Sequence, residues 1–151
     1  MVSNIIQMVD TERRLAEFES VCRQRGLALT VQRRTILREL LGRSDHPSAE
    51  QLYEAVQDRL PGLSRTTVYR VLDTLVELGA ARKVLHPHAV ARFDPTPDRH
   101  HHLICEGCGQ LVDLDASASP EIRLPDVGAT GFKINDYSVS FTGVCGHCQA
   151  G

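Results

Sequence analysis

The sequence predicts an α+β chain in two parts, helical first and strand-rich after. Three observations carry this. Apolar residues recur at helical spacing through the first half. Two short runs spanning Ala81 to Phe93 read as a hairpin, and two Cys-x-x-Cys pairs, Cys105/Cys108 and Cys145/Cys148, stand in the last third of the 151 residues. A chain of this length buries one modest core, or two small ones that depend on a metal or a partner chain.

Asp10 is expected to cap a first helix whose Leu15, Phe18, Val21 and Cys22 share one face, ending at Gly26. Cys22 then reads as core. Thr30 caps a second helix with Ile36, Leu37, Leu40 and Leu41 inward and Gly42 near its stop. Ser48 and Gln51 make a capping box for a third, striped by Leu52, Tyr53, Val56 and Leu60 and ended by Pro61-Gly62. Ser64 caps a fourth, Arg65 to Leu78, with Val68, Val71, Leu72, Leu75 and Val76 inward and Gly79 as its stop.

Helices joined this tightly form a helix-turn-helix, whose second helix offers Arg65, Thr66, Thr67, Tyr69 and Arg70 to a DNA major groove. A helical hairpin alone is a weak signal. It is followed, however, by strand-like Ala81 to Leu85, a turn at His86-Pro87-His88 and strand-like Val90 to Phe93, the expected wing of a winged helix. His86 and His88 read as solvent- or phosphate-facing rather than as metal ligands.

The net charge of −2 argues against nucleic acid until its distribution is considered. Residues 1 to 98 hold fourteen basic and thirteen acidic groups, and residues 99 to 151 hold three and six. Arg23, Arg25, Arg33, Arg34, Arg38 and Arg43 share a 21-residue window with one acid, Glu39. Such a face can grip phosphates, Arg33 and Arg34 foremost, although a merely solvated helix face has the same composition.

Pro95-Thr96-Pro97 breaks the pattern as a hinge, dividing a winged-helix domain at 1–94 from a second domain at 99–151, with 95–98 between. Beyond it, His101 to Cys105, Gln110 to Leu114, Phe132 to Ile134 and Tyr137 to Thr142 read as strands. Ala116 to Thr130 is expected to hold a helix shortened by Pro120 and Pro125. Four thiolates from two knuckles, with small residues in each (Gly107 and Gly109; Gly146), can surround Zn²⁺ tetrahedrally. The competing reading is disulfides or redox-active thiols. The matched pairs, and an N-terminus without the basic start and apolar centre of an export signal, favour a structural zinc site in a soluble, cytoplasmic protein. No segment reaches membrane-spanning length.

Leu63-Ser64-Arg65-Thr66-Thr67-Val68-Tyr69-Arg70-Val71-Leu72, Arg92-Phe93-Asp94, His100-His101-His102-Leu103-Ile104-Cys105-Glu106-Gly107-Cys108-Gly109 and Gly143-Val144-Cys145-Gly146-His147-Cys148 together resemble the ferric uptake regulator family, from about Gly26 to Cys148. The resemblance implies a homodimeric, metal-responsive transcriptional regulator, an α+β protein with an N-terminal winged helix and a C-terminal α/β dimerisation domain carrying the four-cysteine zinc. It further implies a partner in double-stranded DNA, as a palindromic operator, and a regulator that is a repressor rather than an enzyme.

Residues two apart on a strand face one side, so His100 and His102 can converge on one ion while His101 points away. By position His46, Asp94, His100, His102 and Asp113 match the ligands of the family's regulatory site. They match its peroxide-sensing branch most closely, since the iron-sensing branch usually carries glutamate where Asp113 stands. Three imidazoles and two carboxylates suit Fe²⁺ or Mn²⁺, with Zn²⁺ also accepted. The alternative within the family is an iron-, manganese- or zinc-uptake regulator without peroxide sensing.

Two departures stand out. A further site found in some members would need a histidine where Tyr137 stands and a glutamate near Pro120 and Glu121, so it is expected to be absent here. The basic residue that relatives place before the second helix is replaced by Ala28. A zinc hydrolase using His100 and His102 is a remote alternative, lacking a His-Glu-x-x-His segment and a partner general base, and a plain zinc-ribbon interaction module is another.

Overall fold

The computed structural model describes residues 2–85, 90–115, 117 and 122–151, with side chains from residue 7 onward. The backbone separates into two compact units, Met1–Pro97 and Asp98–Gly151.

The first unit begins with α1 (Val2–Gln24), well before the start that an Asp10 cap predicts. No glycine or proline interrupts the run before Asp10. That residue lies inside the helix and pairs one turn on with Arg13 at 2.5 Å, instead of capping. The caps of the next three helices form as expected. Thr30 accepts from the Arg33 amide at the start of α2 (Val31–Leu41). Ser48 and Gln51 form a reciprocal box on α3 (Ala49–Val56), and Ser64 accepts from the Thr67 amide of α4 (Arg65–Glu77). A short 3₁₀ turn, Gln57–Arg59, extends α3 toward Pro61-Gly62, where Gly62 takes φ +79°. The wing consists of β1 (Arg82–Val84) paired antiparallel with β2 (Arg92–Asp94), Lys83 opposite Phe93. Its expected tip, His86-Pro87-His88, lies outside the described residues.

The apolar stripes meet in one cluster. Leu15, Phe18 and Cys22 of α1, Ile36, Leu37 and Leu40 of α2, Leu52 and Val56 of α3, Val68, Leu72 and Leu75 of α4, and Phe93 of β2 are all buried. Cys22 is 1% exposed, so it is core as expected.

The second unit is a three-stranded sheet in the order β4-β3-β5. β3 (His100–Cys105) pairs antiparallel with β4 (Leu111–Asp115), His102 opposite Asp113, and parallel with β5 (Ser140–Gly143), Cys105 opposite Gly143. The short α5 (Gly146–Ala150) follows. The strand expected at Phe132 to Ile134 does not form: the segment is irregular, outside the three-stranded sheet, and Phe132 is 77% exposed. Of the helix expected within 116–130, the described residues hold a 3₁₀ turn, Gly128–Thr130, while 116 and 118–121, Pro120 and Glu121 among them, lie outside. Ile104 and Cys105 are the buried apolar residues of this unit among those described.

Candidate metal centres and nucleic-acid interface

The parallel pairing of β3 and β5 brings the two thiol knuckles side by side. Cys105 ends β3 and Cys145 precedes α5, and the pairing continues past the strands where the Glu106 amide donates to the Gly143 carbonyl at 2.8 Å. The first knuckle closes as the Gly109 amide, at φ +72°, donates to the Cys105 carbonyl at 2.9 Å. Gly107 lies so near the sulfurs that a Cβ there would stand 3.0 Å from Cys148 Sγ. The four ligand atoms of Cys105, Cys108, Cys145 and Cys148 all lie within 4.8 Å of one another.

None of these cysteines is in a disulfide, and the Cys108 and Cys145 sulfurs are 3.7 Å apart. A tetrahedron with Zn–S bonds of about 2.3 Å separates its sulfurs by about 3.8 Å. The crowding splits the thiols' acidities. The Cys145 amide, donating to Cys105 Sγ at 3.3 Å, helps pull the Cys105 thiol down to about 6, while Cys148, hydrogen-bonded first to Cys145 and then to the other sulfurs, is pushed up to about 12. A dication favours the thiolate at every position. The cradle and donor set fit zinc.

The same sheet presents a nitrogen and oxygen group one register away. His100 and His102 share a face of β3, their rings edge-to-face at 4.7 Å, and Asp113 on β4 meets both, its Oδ1 3.3 Å from His100 Nε2 and 3.5 Å from His102 Nε2. The Asp98 carbonyl lies 2.8 Å from His100 Nδ1. An oxygen that only accepts takes its hydrogen bond from Nδ1–H, so Nε2, on the side of Asp113, is the nitrogen that would serve a metal ion. His101 points to the other face, 3% exposed, with Tyr137 and Phe141 rings 6.4 and 6.5 Å away. It joins no candidate ligand group among the described residues.

In the first unit His46 and Asp94 form a second nitrogen and oxygen pair, His46 Nε2 standing 3.5 Å from Asp94 Oδ2. Both are buried, Asp94 at 0% exposure. A carboxylate removed from water needs compensation, and the Thr96 amide supplies part of it by donating to Oδ1 at 2.8 Å. His46 has φ +49°, a left-handed conformation that costs a non-glycine residue about 1–3 kcal/mol and persists where its surroundings enforce it. β2 enforces it here. Phe93 donates to the Pro47 carbonyl at 2.9 Å, Ser48 bridges to Arg92, and Arg92 Nη1 reaches the His46 carbonyl at 3.4 Å. Two ligands at about 2.1 Å from a common ion stand roughly 3.0–3.4 Å apart at octahedral or tetrahedral angles. The separations in both units are close to that range, and imidazole with carboxylate fits a borderline divalent ion.

On α4, Arg65, Thr66, Tyr69 and Arg70 are exposed, while Thr67 is half-buried and engaged in the cap through Ser64. Arg65 is not idle: it pairs with Glu50 at 2.7 Å and lies 4.4 Å above the Tyr53 ring. Arg70 and Thr67 share a shallow hollow with Thr30, Gln32 and Arg33 of the α2 start. Arg33, Arg34 and Arg70 form no ion pair among the described residues, whereas Arg38 and Arg43 are paired to Glu12 and Asp45. The roles of Arg92, of the Asp98 carbonyl and of Glu50 toward Arg65 are new to the structure. Only Arg92 had a signal in the sequence, as part of Arg92-Phe93-Asp94.

The pattern of the ferric uptake regulator family matches residues 24–142. A peroxide-responsive repressor, PerR, of Staphylococcus aureus is 31% identical over 144 residues, covering 95% of this chain and 97% of that one. Among solved structures, a zinc uptake regulator complexed with zinc and DNA is similar at 27% identity with a TM-score of 0.64, over 93% of this chain and 95% of that chain. The ferric uptake regulator of Helicobacter pylori shares the fold at a TM-score of 0.73 and 19% identity, over 92% and 93%.

Proposed function

The chain belongs to the ferric uptake regulator family, and from that premise we propose that it is a peroxide-responsive repressor. It is a metal-dependent transcriptional regulator rather than an enzyme. Cys105, Cys108, Cys145 and Cys148 would hold a structural Zn²⁺, and His46, Asp94, His100, His102 and Asp113 an exchangeable Fe²⁺ or Mn²⁺. The observation that carries the reading is the matched preparation of each unit: a buried His46–Asp94 pair in one, and two imidazoles meeting Asp113 in the other.

Ligands drawn from both units bind one ion only when the units adopt a defined orientation. Swinging such an equilibrium from mostly open to mostly closed takes about 5.5 kcal/mol of differential binding, within reach of several metal-ligand contacts. Orientation in turn sets where α4 lies against DNA, with Arg70, Arg33 and Arg34 toward phosphates and Thr66 and Tyr69 toward base edges. Fe²⁺, when bound, supplies one-electron chemistry toward peroxide that Mn²⁺ does not. The imidazoles of His46, His100 and His102 would be the oxidisable side chains among its ligands, and loss of one would lower affinity for the ion.

A second copy of the chain is the expected partner. Leu103 pairs with Val112 on one side and Phe141 on the other, and all three are more than a third exposed, a sheet face suited to covering by another chain. Two copies present two α4 helices to a palindrome. Among the described residues no helix is long and apolar enough to cross a membrane, and the cytoplasm is the compartment proposed.

A second reading, a zinc-, iron- or manganese-uptake regulator without peroxide response, draws on the likeness to the zinc uptake regulator. The two separate in one experiment: zinc-loaded protein titrated onto DNA selected from a random pool, with Fe²⁺, Mn²⁺ or Zn²⁺, then challenged with peroxide. Release from DNA with Fe²⁺ alone is the expected result. Metal-dependent binding indifferent to peroxide would replace the first reading with the second.

A further inference from the structure

We infer that Arg92 is a positioning residue of the regulatory site, clamping the left-handed His46 backbone so that its imidazole faces Asp94 before an ion arrives. The inference rests on the reading above of His46 as a ligand. His46 is the non-glycine residue with positive φ among those described, and it sits in a loop before α3 where no helix or strand fixes it. Asp94, by contrast, is held by the ladder of β2. The loop therefore takes its geometry from what crosses to it.

Two kinds of contact cross from β2, and one is a backbone bridge that many sequences could make: Ser48 opposite Arg92, with Phe93 N–H donating to the Pro47 carbonyl. The other belongs to a side chain. Arg92 Nη1 donates to the His46 carbonyl at 3.4 Å and to Gln51 Oε1 at 3.2 Å, and the same Oε1 accepts the Ser48 amide at 2.9 Å. One guanidinium thus joins the strand bearing Asp94, the residue bearing the imidazole and the first turn of α3. Both of these partners are neutral oxygens, and no carboxylate among the described residues pairs with the cation.

The charge argument sharpens the inference because it has the opposite sign. A fixed positive charge beside a dication site opposes binding, so an arginine acting only through its charge would weaken the site, and its removal would tighten it. A clamp predicts the reverse. Partners that orient metal ligands typically contribute about 10–100-fold in affinity.

The test uses the zinc-loaded full chain and Mn²⁺ as probe, with affinity read by calorimetry or the Mn²⁺ paramagnetic resonance signal. Arg92→Met is expected to lose about tenfold or more in affinity, Arg92→Lys to recover most of that loss, and Arg92→Met to have no further effect in a His46→Ala background. Without Mn²⁺, the Phe93 and Ser48 amides of Arg92→Met are expected to exchange hydrogen faster while core amides of α2 and α4 do not. Unchanged or tighter Mn²⁺ binding by Arg92→Met, or a full loss that adds to that of His46→Ala, overturns the clamp. If His46→Ala weakens binding and Arg92→Met does not, the clamp alone fails. If His46→Ala binds Mn²⁺ as the parent does, the ligand assignment fails and the clamp with it. Should Arg92→Met not fold, Arg92→Gln, polar but too short to span both acceptors, carries the same expectations.

Discussion

The two units are built on different physics. In Met1–Pro97 four helices and a wing bury a continuous apolar cluster, from Leu15 through Leu37 and Leu72 to Phe93. In Asp98–Gly151 the buried apolar residues among those described are Ile104 and Cys105, and the other buried side chains of the sheet are His101 and His102. Fewer than sixty residues with so little apolar burial do not reach stability on hydrophobic contacts alone. The first unit is therefore stabilised by a conventional apolar core. On the reading proposed above, the second depends on a zinc ion at its four cysteines and on a second chain across its exposed face.

Removing the zinc attacks the weaker half of this contrast and has the largest expected effect. Cys148→Ser leaves three thiols where four are needed, and the structural-zinc contribution, on the order of 10 kcal/mol in zinc-finger peptides, falls almost entirely on one unit. Metal analysis should show zinc lost, with hydrogen exchange collapsing across β3 to β5 while α2 to α4 stay protected. Uniform loss of protection in both units would break the comparison. The reciprocal change, Leu72→Ala in the first core, is expected to cost about 2–5 kcal/mol in denaturant unfolding without changing zinc content.

Acid sharpens the same contrast. With no ion bound, the Cys145 and Cys108 amides hold the Cys105 thiol down to about 6 against an ordinary value near 9, so its thiolate stabilises the metal-free second unit most fully above about 9. That contribution declines as pH falls and is gone once pH passes below about 6. Protons also compete with zinc for all four thiolates, so zinc captured by a chromophoric chelator should rise as pH falls below neutrality, with hydrogen-exchange protection of α2 to α4 unchanged. The smallest effect belongs to local structure: Ser64→Ala removes the cap of α4 and should lower stability by about 1 kcal/mol, leaving Mn²⁺ and Zn²⁺ binding alone.

What could be read beforehand follows the same division. Caps at Thr30, Ser48 and Ser64 and the inward stripes were legible because local hydrogen bonding and helical periodicity are written in short windows. The start of α1 was not, since Asp10 has the chemistry of a cap and becomes instead a partner for Arg13. In the second unit the sulfurs were legible from spacing, and the face shared by His100 and His102 from strand alternation. Phe132 to Ile134 had the composition of a strand, yet composition names no partner, and the segment pairs with neither outer strand of the sheet β4-β3-β5. Arg92 was visible only as part of a motif. Its reach to the His46 carbonyl depends on β2 lying beside a loop more than forty positions earlier in the chain, which no local pattern encodes.

The central claim is that side chains of both units serve one exchangeable ion. Its most direct test is Mn²⁺ binding to zinc-loaded protein carrying His46→Ala, Asp94→Ala, His102→Ala or Asp113→Ala singly. The account predicts one Mn²⁺ per chain in the parent and a large loss of affinity in all four, whichever unit is altered. Undiminished binding when His46 and Asp94 are replaced, with loss confined to His102 and Asp113, would contradict it.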